Sequence, residues 1–158
     1  MTDLFTAVGW SFGLTIDGVT FSEITKIEGI KLEVDVFELK TNSLVGQYTR
    51  KKMPGRMKSG QITVTRAAPL VGSTTAFSDW MKNVFKGEAQ AFRKTAVIQI
   101  FSIGGAFGIG APVAHFTAIN CWPTSIEFTP FEAGSASTMT EKIVMHHEGL
   151  YYGDPEDY

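Results

Sequence analysis

The sequence predicts a mainly β protein of one domain, an antiparallel β-barrel or sandwich with one flanking α-helix at about residues 75–86 and a long extended loop at about 41–59. Three observations predict it. Apolar and polar residues alternate with period two through several short runs, as they do in a sheet with one face covered. A single segment places apolar residues at intervals of three and four, the stripe of one helix. Strands and helices do not alternate along the chain, which removes doubly wound and β/α-barrel architectures.

The elements follow in chain order. From Ser11 to Asp17, Phe12, Leu14 and Ile16 alternate with Ser11, Gly13 and Thr15, and Asp17-Gly18 supplies a hairpin turn because Gly accepts positive φ. Val19 to Ile27 resumes the extended pattern until Gly29 interrupts it. Lys31 to Lys40 gives the clearest strand, with Leu32, Val34 and Val36 on one face and Lys31, Glu33 and Asp35 on the other. The alternation slips at Val36-Phe37, where a β-bulge is expected. Residues 41–59 hold Asn42, Gly46, Pro54, Gly55 and five basic side chains, with Leu44, Val45, Tyr48 and Met53 in need of something to pack on. A loop both basic and apolar is built to meet a partner. Gln61 to Ala67 is a strand whose Arg66 falls on the apolar parity, so its head must leave the core or pair. Ser73, Thr74 and Thr75 offer N-caps to a helix carrying Phe77, Trp80, Met81, Val84 and Phe85 as its core stripe, and Gly87 stops it. Thr95 to Ile103 is apolar on both faces and is expected to be covered on both. Val113 to Trp122, the short run of Ile126 and Phe128 between Pro123 and Pro130, and Thr138 to His147 complete seven or eight strands. Residues 1–158 read as one domain with short flexible termini at about 1–9 and 153–158.

Composition bounds the function. A chain of 158 residues has enough length for a core without staples. The net charge is -2 and the only basic block is Arg50-Lys51-Lys52 with Arg56 and Lys58 nearby, too little for a nucleic-acid footprint. A lone cysteine, Cys121, excludes an intramolecular disulfide and reads as a buried structural thiol. The start lacks the basic and apolar regions of a signal peptide, and no apolar run approaches the length of a membrane span, so synthesis and folding in the cytoplasm are expected.

The chemistry-bearing residues do not assemble into a motif. The run Gly104 to Gly110 has neither dinucleotide nor phosphate-loop spacing, and Pro112 follows where a helix would be needed. His146 and His147 are adjacent on a strand and so point to opposite faces; a metal site would need His115 and Cys121 brought to one of them. Glu33 and Asp35 share a face with Lys31 and read as solvated. No H-E-x-x-H helix occurs, and no nucleophile elbow is read. No catalytic residue, cofactor or metal is expected. The sheet edges remain, and they must be covered or will pair with another chain.

Several segments carry a resemblance: Glu23 to Ile30, Lys52-Met53-Pro54-Gly55, Ile62 to Arg66, Trp80 on the helix, Trp122-Pro123, and Glu141 to Leu150 ending His147-Glu148-Gly149-Leu150. In order and spacing, from about Gly13 to Leu150, they resemble the inner tube proteins of contractile phage tails and bacterial contractile injection systems, and more distantly the haemolysin-coregulated tube protein of type VI secretion. The resemblance implies a structural, non-enzymatic subunit. Six copies would form a ring, and rings would stack head-to-tail into a hollow tube. Implied partners are a contractile sheath, baseplate and terminator proteins, and DNA or effector cargo held without sequence-specific binding, with no stable membrane association. Such a subunit would reside in a virion tail or an injection particle. On this reading Tyr48, Arg50, Lys51, Lys52, Met53 and Arg56 join neighbouring copies, and Lys31, Glu33 and Asp35 line the lumen. The other reading is a baseplate adaptor or another β-rich binding module, for which Trp10, Tyr151 and Tyr152 are the loosest aromatic candidates.

Overall fold

A computed structural model describes residues 12–21, 24–42, 44–67, 76–87, 92–101, 112, 114–130, 132–134 and 139–157. These form strands β1 (Phe12–Ile16), β2 (Val19–Phe21), β3 (Ile24–Glu28), β4 (Val34–Asn42), β5 (Tyr48–Met57) and β6 (Gly60–Ala67), helix α1 (Ala76–Lys86), and strands β7 (Lys94–Ile100), β8 (Ala114–Phe128), β9 (Thr140–His147) and β10 (Gly149–Tyr152). A 3-10 turn spans Pro155–Asp157.

All strand pairs are antiparallel. The main sheet runs β2-β1-β7-β8-β9-β6-β3, with β10 also on β8, while β4 and β5 pair only with each other. Strand β8 belongs to two layers. Its first half pairs with β7 and β10, and from Trp122 onward it pairs with β9. The bend falls where Asn120 takes φ 50 and the register with β9 shifts between Pro123 and Ser125. Leu14, Ile16, Ala96, Ile98 and Ala118 from one layer meet Ile62, Val64, Ile143 and Met145 from the other, with Phe21, Phe77 and Trp80 at the side. Among the described residues the two outer strands, β2 and β3, do not pair, and the sandwich is not closed into a barrel.

The local chemistry explains the joins. Asp17 and Gly18 both have positive φ, 50 and 80, as the two-residue turn between β1 and β2 requires. Gly29 has φ 85, and a Cβ there would stand 2.5 Å from the Gln61 carbonyl oxygen, so the chain can leave β3 only through glycine. Gly87 ends α1 with φ 70 and donates its N–H to the Val84 carbonyl at 3.0 Å.

Several expectations need correction. Residues 48–57 are not loop but the second strand of a hairpin with β4. Pro54-Gly55 reads as a strand breaker, yet it lies at a register shift opposite Val34 and Val36, on a strand with only one partner, where proline's missing N–H costs little. The bulge expected at Val36-Phe37 is that same irregularity, one or two residues earlier. Pro123 likewise does not end a strand, because β8 bends there. Phe85, assigned to the helix core stripe, is 79% exposed; Phe77 and Trp80 do the burying. Residues 153–157, expected to fray, are tied to β8: the Gly153 N–H donates to the His115 carbonyl at 2.9 Å, Thr117 Oγ1 donates to the Gly153 carbonyl at 2.9 Å, and Asp154 meets His115 at 3.2 Å. The expected N-caps at 73–75, the glycine run at 104–110 and residues 1–9 lie outside the described residues.

Candidate assembly surfaces

The charges inside the core are already matched. Arg66 is 4% exposed and Glu141, directly opposite on β9, is 2% exposed. Arg66 Nε donates to Glu141 Oε2 at 2.8 Å, and the guanidinium lies 4.7 Å from the Phe77 ring centroid and 5.7 Å from that of Phe21. Arg66 thus keeps the apolar parity by pairing rather than by leaving the core.

The nucleophile and ligand candidates stay apart. Burial pushes the Cys121 thiol up to about 12, so it holds its proton at neutral pH. His115 bonds Asp154, while His146 stacks on Trp122 and bonds Gln61 at 2.7 Å. His147 is buried, packs on Gly60, and among the described residues has no hydrogen-bond partner at either ring nitrogen. Burial, and then neighbouring His146, lower its pKa. Among the described residues, no three such side chains could hold a metal ion. Gly9-Trp10-Ser11-Phe12-Gly13 does have G-x-S-x-G spacing, so the sequence holds the spacing of a nucleophile elbow after all. Its Phe12 and Gly13 lie in strand β1 and not in a helix, so it lacks the helix that follows a nucleophile elbow.

The described surface is dominated by the β4–β5 hairpin. Every residue of β4 is exposed, as are the first seven of β5. Cross-strand partners share a face. One face therefore presents Phe37 opposite Met53, Leu39 opposite Lys51 and Thr41 opposite Thr49. The other presents Val36 opposite Pro54, Glu38 opposite Lys52, Lys40 opposite Arg50 and Asn42 opposite Tyr48. The tip carries Leu44 and Val45, both exposed almost completely. Lys51 and Lys52, adjacent in sequence, thus point to opposite faces. Tyr48, Arg50 and Lys52 share the polar face, with the Arg50 guanidinium 5.6 Å from the Tyr48 ring centroid, and Met53 is on the apolar one. Phe37 and Leu39, missed as surface residues in the sequence, complete that apolar face; the parity slip after Val36 was their signal.

Lys31, Glu33 and Asp35 lie at the root of this hairpin. Lys31 and Glu33 precede the strand and pair at 2.6 Å, which holds the Glu33 carboxyl below its usual range. Asp35 meets Lys58 at 3.6 Å, and the Lys58 N–H donates to the Glu33 carbonyl at 2.9 Å, closing the root. The opposite side chains, Leu32, Val34 and Val36, are half-exposed or more.

The structure sets a buried sandwich core beside an exposed amphipathic hairpin. The chain belongs to the T4-like virus tail tube protein gp19 family, whose pattern matches residues 8–151. It is a structural subunit of a tail tube, as the resemblance in its motifs implied. Its fold is similar to the extracellular contractile injection system PVC sheath–tube complex in the extended state, with TM-score 0.74, 18% identity, and coverage of 95% of this chain and 93% of that one. It is also similar to the anti-feeding prophage cap, which terminates the tube (TM-score 0.74, 17% identity, 96% and 93% covered). Hcp1 from Flavobacterium johnsoniae shares the fold more distantly (TM-score 0.52, 16% identity, 90% and 94% covered). No curated protein matches the sequence.

Proposed function

We propose that six copies of this chain close into a ring, that rings stack head-to-tail into a hollow tube within a contractile sheath, and that the β4–β5 hairpin reaches onto a neighbouring copy. The observation that carries this is the hairpin itself. A lone two-stranded hairpin is marginal in water, and this one exposes apolar side chains on two strands that, among the described residues, pair only with each other. Phe37, Leu39 and Met53 are each nearly half-exposed, so covering them contributes about 1 kcal/mol apiece, or about 3 kcal/mol per contact. Repeated around a ring, that sum favours closure over open pairing.

The baseplate, terminator and sheath assemblies in which similar folds occur support the same partners for this chain. The lumen would carry DNA or effector cargo without reading sequence, and Lys31, Glu33 and Asp35 would face it as a salt-bridged polar surface. The particle would be a virion tail or an injection apparatus assembled in the cytoplasm.

Negative-stain electron microscopy of the purified chain tests the reading. Wild type forms rings or tubes with an open channel, and F37S/L39S/M53S remains a folded monomer. A wild type that stays monomeric at high concentration would instead favour an adaptor or binding module. A triple variant that still makes normal tubes refutes the arm assignment.

A further inference from the structure

The polar face of the hairpin is unbalanced in a way the apolar face does not explain. Five cations against two carboxylates between Val34 and Met57 give the hairpin +3, so with a whole-chain charge of -2 the remainder carries -5. Lys40 stands directly opposite Arg50, a like-charge pair that destabilises an isolated hairpin. Lys52 follows two residues along the same face. Glu38 is the single carboxylate of this face: it is the register partner of Lys52 and pairs with Arg50 at 3.6 Å, and among the described residues no ion pair reaches Lys40 or Lys52. These three positions form a triangle about 5–8 Å on a side.

The rest of the described surface offers few counter-charges. Glu28 is paired with Lys26, Glu33 with Lys31, Asp35 with Lys58, Asp79 with Lys82 and Glu148 with Arg93. Glu127 is the register partner of Lys142. Asp17 and Glu132 stand singly. The exception is the C-terminal 3-10 turn, where Asp154, Glu156 and Asp157 are exposed within four residues and meet only the His115 imidazole. The turn is held in place by the Gly153 and Thr117 bonds and by the Asp157 N–H on the Asp154 carbonyl at 3.1 Å. Its carboxylates span about 6 Å at a 3-10 rise, matching the cationic triangle.

We infer that the cationic face of the hairpin, Lys40, Arg50 and Lys52, docks on the Asp154–Asp157 turn of a second copy of this chain. The inference rests on the self-assembly reading and adds its electrostatic partner. The two hairpin faces then have separate tasks: the apolar face supplies most of the affinity, and the polar face selects position, as charge complementarity does at interfaces. The contact is exposed at its rim and is screened by salt.

A charge-swap experiment on the full chain tests this, with assembly followed by light scattering and negative stain at low ionic strength. Circular dichroism is run alongside to establish that each variant is folded. Both K40E/K52E and E156K/D157K are expected to raise the concentration needed for assembly tenfold or more. The four changes in one chain restore it to within about threefold of wild type. Half a molar salt raises the wild-type threshold and leaves that of E156K/D157K nearly unchanged. Folded E156K/D157K that assembles like wild type overturns the inference while the tube reading stands. So does a quadruple variant that fails to recover. A wild type that never assembles overturns both.

Discussion

Removing the carboxylate of Glu141 leaves the Arg66 guanidinium in the core with its principal counter-charge gone. Both side chains are almost fully buried, so water cannot replace the lost partner without opening the sandwich. The rings of Phe21 and Phe77 offer cation–π attraction, but they do not accept the Nε proton. Breaking a buried pair from one side costs roughly 3–5 kcal/mol. In a chain of this length each kcal/mol moves Tm by about 2–4 °C, so Glu141→Ala is expected to lower Tm by roughly 6–20 °C. Differential scanning calorimetry at a concentration below the assembly threshold measures this, because assembly would otherwise add its own stabilisation. The paired change Arg66→Met/Glu141→Leu separates charge from packing: it should recover most of the loss, or exceed wild type. A drop under about 3 °C for Glu141→Ala would show that the pair is solvated and refute the argument. A double variant as unstable as the single one would place the cost in shape rather than in unpaired charge.

His147 should make the fold acid-sensitive. Its folded pKa is depressed, so the unfolded chain takes up a proton first; the stability present above about pH 6.5 is lost as pH falls through that value toward the folded pKa. Urea unfolding between pH 7.5 and 5 should show this loss, and His147→Leu should flatten the difference; an unchanged slope in that variant would assign the acid sensitivity elsewhere. Gly29→Ala combines positive φ with a backbone clash against Gln61, and an equilibrium unfolding measurement should show a loss of about 3 kcal/mol. A loss below about 1 kcal/mol would mean that the β3 exit re-forms without glycine.

Elements whose constraints are local were legible in the sequence. Asp17-Gly18 announces its turn because two adjacent positive φ values are needed there, whatever the rest of the chain does. The stripe of α1 and the alternation of β6 and β9 report burial against the chain's own core. Arg66 could be flagged by parity, but its counter-ion lies 75 residues away on β9, and no local rule names it. The hairpin was misread for a related reason. Every residue of β4 and the first seven of β5 are exposed, so neither face of β5 shows the apolar register that a self-covered strand would. Basic residues and Pro54-Gly55 then look like loop. Phe85 errs in the opposite sense, since spacing places it on the helix stripe while it stands exposed one residue from the end of α1. The residues expected to join neighbouring copies all lie on β5, and their division between two faces needed the pairing register.

The root of the hairpin has a mechanical meaning. Both of its strands join the body at one point: β5 passes through residues 58–59 directly into β6, and β4 is reached from Gly29, which rests on the Gln61 carbonyl of that same strand. The Lys58–Glu33 backbone bond ties the two chain segments together there. Strand β6 is flanked by β3 on one side and along its full length by β9 on the other. A force applied to the hairpin therefore passes into an interior strand and is shared among many ladder bonds, instead of peeling an edge one bond at a time. The hairpin is set in an interior strand, away from the edges of the sheet.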